Sequence, residues 1–140
     1  MPACLAFVLG ALPFLPPPPS IALSPDWVAE RPPPYPNLLA SFRRGDATLT
    51  VGVQFLGEGE DAESFARGNA VALERMGFVV KRERDALHAS RRGQDLSLRQ
   101  VYVVRGTVGW VITLAGSPKD LRALAKDLAG VVRQLAETPN

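Results

Sequence analysis

The chain has 140 residues, enough for one domain with a core of its own and no need of disulfides or a structural metal. Its formal net charge is only +2, drawn from a basic set of 16 Lys and Arg against 14 Asp and Glu, which does not mark a nucleic-acid partner. A single cysteine, Cys4, excludes an internal disulfide.

Residues 1–19 differ in kind from the rest. Ala3 to Leu15 carries no charge and runs into four consecutive prolines, Pro16 to Pro19. At about thirteen residues the apolar run is too short to cross a ~30 Å hydrocarbon core as a helix, and it matches the apolar region of a secretory leader. Ser20-Ile21-Ala22 offers a weak cleavage site; Pro13 and the lack of Lys or Arg before the run count against a leader. The expectation is a signal peptide, or an apolar and Pro-rich extension, over 1–19. A single domain over 20–140 follows, without a transmembrane span. Its place is exported, periplasmic or otherwise extracytoplasmic, with the cytoplasm as the alternative.

Ile21 to Leu23 reads as a short strand, ended by the Ser24-Pro25-Asp26-Trp27 turn, and Glu30 to Pro36 as a stiff proline-rich connector. Leu38–Arg43 and Thr48–Leu56 flank Arg44-Gly45-Asp46 as a hairpin, with Leu49, Val51, Val53 and Phe55 alternating inward. An acidic loop from Gly57 to Asp61 leads into a helix over Ala62–Met76, closed by Gly77, with Phe65, Ala66, Ala72, Leu73 and Met76 facing in. Phe78–Val80 and Ala86–Ser90 are strands, and Gly93 marks a turn.

From Leu96 the alternation is strongest. Leu96, Leu98, Tyr102 and Val104 share one face; Ser97, Arg99 and Arg105 mark the other, which Val101 and Val103 make apolar at its middle. Both faces are therefore covered. Arg105 to Gly109 supplies two glycines for a turn, and Trp110–Leu114 runs back as a hairpin partner. Ser117-Pro118-Lys119-Asp120 is a helix start: a hydroxyl cap, a proline where no N–H is needed, and an acid three residues on. Leu121, Leu124, Ala125, Leu128, Val131, Val132 and Leu135 then form one apolar stripe. The sum is an α+β domain: an antiparallel sheet of about six strands covered by two main helices.

Chemistry-bearing residues are sparse. His88 is the only histidine, and no His, Cys or carboxylate spacing suits a metal, so no metal site and no cofactor are expected. Glu58, Glu60, Asp61 and Glu63 lack the ligand ladder of a calcium loop, and Gly57-x-Gly59 lacks the setting of a phosphate loop. No serine sits in a recognisable frame with His88, so no catalytic residue is assigned and no enzyme is expected. The basic residues do cluster, however: Lys81, Arg82, Arg84, Arg91, Arg92, Arg99 and Arg105 fall within residues 81–105. Arg82, Arg84, Arg91, Arg92 and Arg99 are the candidate partner-binding residues, as a shared face or edge for an anionic partner. Against that stand Glu83, Asp85 and Asp95 in the same segment, which read as a solvated, aggregation-blocking edge.

The turn at Ser24-Pro25-Asp26-Trp27, the hairpin ending in Leu49–Phe55, the acidic loop before Ala62, the Arg99–Val104 strand, Gly109-Trp110-Val-Ile-Thr-Leu114 and the Ser117-Pro118 helix together resemble the PsbP-like superfamily. That group includes the photosystem II extrinsic protein PsbP, the yeast Ran-binding nuclear import factor and bacterial envelope proteins of the DcrB and LpqN types. The likeness spans most of residues 20–137. It implies an α/β/α sandwich around an antiparallel sheet, and binding or scaffolding without turnover; it brings no shared catalytic residue to this chain. The expected function is therefore a non-enzymatic accessory domain in the bacterial envelope, acting by contact with a protein partner, an acidic one among the candidates. The alternative is a carrier holding a small apolar ligand between sheet and helix, with Phe65, Met76 and Trp110 as its lining.

Overall fold

The structure, a computed structural model, describes residues 20–34, 37–91 and 93–137; the apolar leader-like segment and Arg92 lie outside the described residues. The strands are β1 (Val28–Ala29), β2 (Leu38–Arg44), β3 (Ala47–Phe55), β4 (Phe78–Glu83), β5 (Ala86–Arg91), β6 (Ser97–Arg105) and β7 (Val108–Gly116). The helices are α1 (Ala62–Arg75), α2 (Pro118–Ala123) and α3 (Ala125–Glu137). All seven strands join one sheet in the order β1-β2-β3-β7-β6-β5-β4, every neighbour antiparallel. Two meanders thus meet at a seam between β3 and β7. There Leu49 faces Leu114, Val51 faces Ile112 and Val53 faces Trp110.

The helices cover opposite faces and opposite halves. α2 and α3 lie over the seam, where Trp27, Leu49, Val51, Trp110, Ile112 and Leu114 pack with Leu121, Leu124, Leu128, Val131 and Leu135. α1 lies on the other face, where Phe65, Ala66, Ala70 and Leu73 pack on Leu56, Phe78, Leu87, Ala89 and Tyr102. The alternation in β6 serves both layers: Leu98, Tyr102 and Val104 face α1 while Val101 and Val103 face the C-terminal helices.

Local chemistry sets the helix ends. Asp61 accepts from the Ser64 backbone N–H at 2.8 Å while the Ser64 hydroxyl accepts from the Asp61 N–H at 3.0 Å, a reciprocal cap. Gly77, at φ +92°, takes the left-handed turn into β4. Ser117 and Asp120 repeat the reciprocal cap at α2.

Several expectations are corrected. Ile21 to Leu23 forms no strand, because the Gln134 side chain satisfies Ala22 instead: the Ala22 N–H donates to Oε1 at 2.8 Å and its carbonyl accepts from Nε2 at 2.9 Å. The first strand is the two-residue β1 beyond the turn. On α1, Phe65, Ala66 and Leu73 face in as expected, and the arc is completed by Ala70, so that it is centred on Ala66 and Leu73. Ala72 is therefore exposed, and Met76, at the cap, is 61% exposed. The C-terminal helix is two helices, broken at Leu124 (φ −106°, ψ 9°), although its apolar stripe is buried across the break save exposed Ala125 and half-buried Val132. Phe55, at the end of β3, is 52% exposed. Of the two turn glycines only Gly106 has positive φ; Gly109 lies inside β7, where a Cβ would stand 2.5 Å from Cε2 of Phe65. Its bare backbone is what lets α1 sit down on the sheet.

Candidate functional site

The two-residue turn Arg84-Asp85 closes the β4–β5 hairpin with Glu83 opposite Ala86. That register decides where each cation of the segment points. Arg82 stands opposite Leu87, a core residue under α1, so Arg82 lies on the α1 face; Lys81 stands opposite His88 and beyond it Arg99, on the other face. The candidate arginines consequently divide. Arg82 and Arg84 come together with Glu63 from the first turn of α1, lining a shallow cavity of about 220 Å³. Arg99 is on the opposite face and pairs with Glu83 at 3.5 Å. Arg91 sits at the far end of the hairpin, opposite Phe78, five register steps or roughly 16 Å away. Its guanidinium lies 4.5 Å above the Phe78 ring and donates to the Met76 carbonyl at 2.6 Å. Arg105 donates to the Leu135 carbonyl at 3.4 Å, beneath α3.

The common feature of Lys81, Arg82 and Arg84 is that no ion pair or side-chain hydrogen bond holds them among the described residues. Glu63, their acidic neighbour, pairs with Arg67 along α1 at 3.7 Å. All three cations belong to the outermost strand or its turn. Strand parity, readable from the two-residue turn once that turn is used to fix the register, puts Arg82 on one face and Lys81 and Arg99 on the other; Lys81 joins the edge because it lies on the outermost strand, whereas Arg99 lies two strands in.

Elsewhere the chemistry is quiet. His88 stands between Lys81 and Arg99 across three strands. Among the described residues no three of His, Cys, Asp and Glu gather to hold a metal ion. The Ser64 backbone N–H holds the Asp61 carboxyl below its ordinary range, and burial pushes the Tyr102 phenol, which donates to Gln100, well above its own. Phe65, Met76 and Trp110 do not line one pocket: Phe65 and Trp110 pack on opposite faces of the sheet, and Met76 is turned outward. Two other cavities lie elsewhere. One of about 310 Å³ runs beside β2 along Ile21, Pro33, Leu39 and Phe42. Another, of about 200 Å³, is lined by Thr50, Gln54, Asn69, Gln100 and Thr113 where α1 leaves the sheet bare. No helix among the described residues is long and apolar enough to cross a membrane.

This architecture has a solved counterpart. The solution structure of cyanobacterial PsbP (CyanoP) from Synechocystis sp. PCC 6803 is similar over 80% of this chain and 82% of its own, with a TM-score of 0.51 and 8% sequence identity. The chain has the PsbP-like fold. At 8% identity the likeness is one of architecture and carries no residue of CyanoP onto this chain. No protein-family model matches the sequence, and no curated protein matches it. Within the PsbP-like frame the segment from Lys81 to Arg84 falls on the edge strand and its turn, away from the seam where the core is deepest.

Proposed function

We propose that this PsbP-like domain is a non-enzymatic accessory module that docks an acidic protein partner through the edge formed by Lys81, Arg82 and Arg84. The observation that carries the reading is the state of these three cations: adjacent, exposed and held by no acid among the described residues. Unpaired surface cations keep their charge for an incoming carboxylate and accelerate its approach. A non-enzymatic role is further supported by His88, whose cross-strand neighbours are cations and not a nucleophile. The uncharged run from Ala3 to Leu15 supports export, with the partner in the bacterial envelope.

The test is capture from the native envelope with tagged protein. Arg82→Glu with Arg84→Glu should remove the specific partner, whereas Arg99→Glu, on the other face, should retain it. Partners unchanged by the double reversal would sink the docking reading. Intact-mass measurement of the chain recovered from fractionated cells tests export: a mature chain starting near Ser20 in the envelope fraction is expected, and a full-length chain in the cytoplasm contradicts it.

A further inference from the structure

Resting on the basic-edge reading above, the geometry points to the manner of docking: we propose that an extended acidic segment of the partner adds to β4 as a further strand of the sheet. Among the described residues β4 is the outermost strand and pairs on one side only, with β5. An antiparallel strand paired on one side aims every second N–H and C=O away from its neighbour, which leaves β4 a row of backbone donors and acceptors along its outer side. The six β4–β5 pairs run from Phe78↔Arg91 to Glu83↔Ala86 without a register shift, and the strand contains no proline. It is therefore straight and unbroken, the form that strand addition requires. The sheet's other edge, β1, has only two residues.

The side chains specify what can pair. Val80 packs toward α1 on one face, while Val79 on the other is 54% exposed. The next two residues, Lys81 and Arg82, are exposed cations on opposite faces. An added strand places one residue directly opposite each of these on the same face. Two consecutive apolar residues would meet Val79 and Val80, and two consecutive acids would meet Lys81 and Arg82, one on each face. Glu83 then ends the acidic run. Uncharged or basic strands are repelled or left without partners, so the charges that guard this edge against aggregation also select its ligand. Self-pairing of β4 centred on Lys81, or on the Lys81–Arg82 bond, is disfavoured because it sets cation against cation.

The experiment uses fluorescence anisotropy of the intact protein with three labelled synthetic peptides. The first carries two glutamates followed by two valines within an extended sequence, the order in which an antiparallel strand meets Arg82, Lys81, Val80 and Val79. The second replaces the glutamates with lysines. The third keeps the glutamates but is N-methylated at alternate residues, which blocks strand addition and leaves charge intact. Binding by the first alone is expected, weakened about tenfold or more by Lys81→Glu with Arg82→Glu, which should in turn bind the lysine peptide. Equal binding of the first and third peptides would overturn strand addition while leaving the basic-edge reading standing. Binding of none would overturn both. A peptide-free protein that sediments as a dimer, and becomes monomeric in the Lys81/Arg82 reversal, would assign the edge to a second copy and overturn the acidic segment.

Discussion

The two edges of the sheet are built differently. At the β1 edge the chain is tied down by side chains from three elements. The Trp27 indole N–H donates to Asp127 of α3 at 2.9 Å, Arg44 bridges Asp127 at 3.4 Å and Asp26 at 3.6 Å, and Glu30 accepts from Ser41 at 2.6 Å. Ile21 and Leu23 pack onto the same core. At the β4 edge Phe78 and Val80 pack under α1, but among the described residues the only polar side-chain ties are Glu83–Arg99 and the Arg91 contacts at the opposite end of the strand. The first edge is closed by structure, and the second is guarded by charge alone. A fold that spends its polar network on one rim leaves the other available for recognition.

Breaking the closed edge should give the largest effect. Trp27→Ala removes a buried anchor and the Asp127 bond, and should lower unfolding free energy by about 3–5 kcal/mol in urea titrations. A loss below 1 kcal/mol would mean that this edge is not tied as described. Second comes the contact that seats α1 beside the open half. Gly109→Val drives a side chain into Phe65 and Leu56 and should cost about 1–3 kcal/mol, partly recovered by Phe65→Leu. An additive double mutant would contradict that contact.

The α1 cap adds a pH signature. The folded-state pKa of Asp61 is depressed, so its contribution is complete above the unfolded value of about 3.9 and disappears as pH falls through the lower folded value. Asp61→Asn keeps an N-cap acceptor but removes the titration; its unfolding midpoint should change less between about pH 5 and pH 2 than that of the parent. Identical acid profiles would show that Asp61 contributes nothing. Tyr102 works in the other direction: its raised pKa stabilises the fold below about pH 10, the unfolded value, and that stabilisation fades as pH rises above it. Phenolate absorbance should therefore lag in the folded protein on alkaline titration. Smallest of all, Lys81→Glu with Arg82→Glu should change stability by no more than about 0.5 kcal/mol, while weakening acidic-peptide binding about tenfold or more. That separation of stability from binding is the behaviour of a recognition edge.

Much of the fold is legible in the sequence, for physical reasons. The two-residue period of β6 and β7, the Ser117-Pro118 start and Gly77 each specify local geometry that packing then preserves. What is not legible depends on distant pairing. Nothing local says that β3 pairs with β7, and β1 is too short to show any period. The break at Leu124 leaves the apolar stripe intact, so the pattern hides it. Chain proximity grouped the arginines, whereas strand parity separates Arg99 from Arg82 and packing holds Arg91 against Phe78.

The central claim is that β4 is an open edge, and residue-resolved amide hydrogen exchange of the free protein tests it most directly. Alternate amides within Phe78–Glu83 should exchange quickly while those directed at β5 are protected, independently of protein concentration. Uniform protection of the strand, or protection that grows with concentration, would show that the edge is already covered and contradict the account.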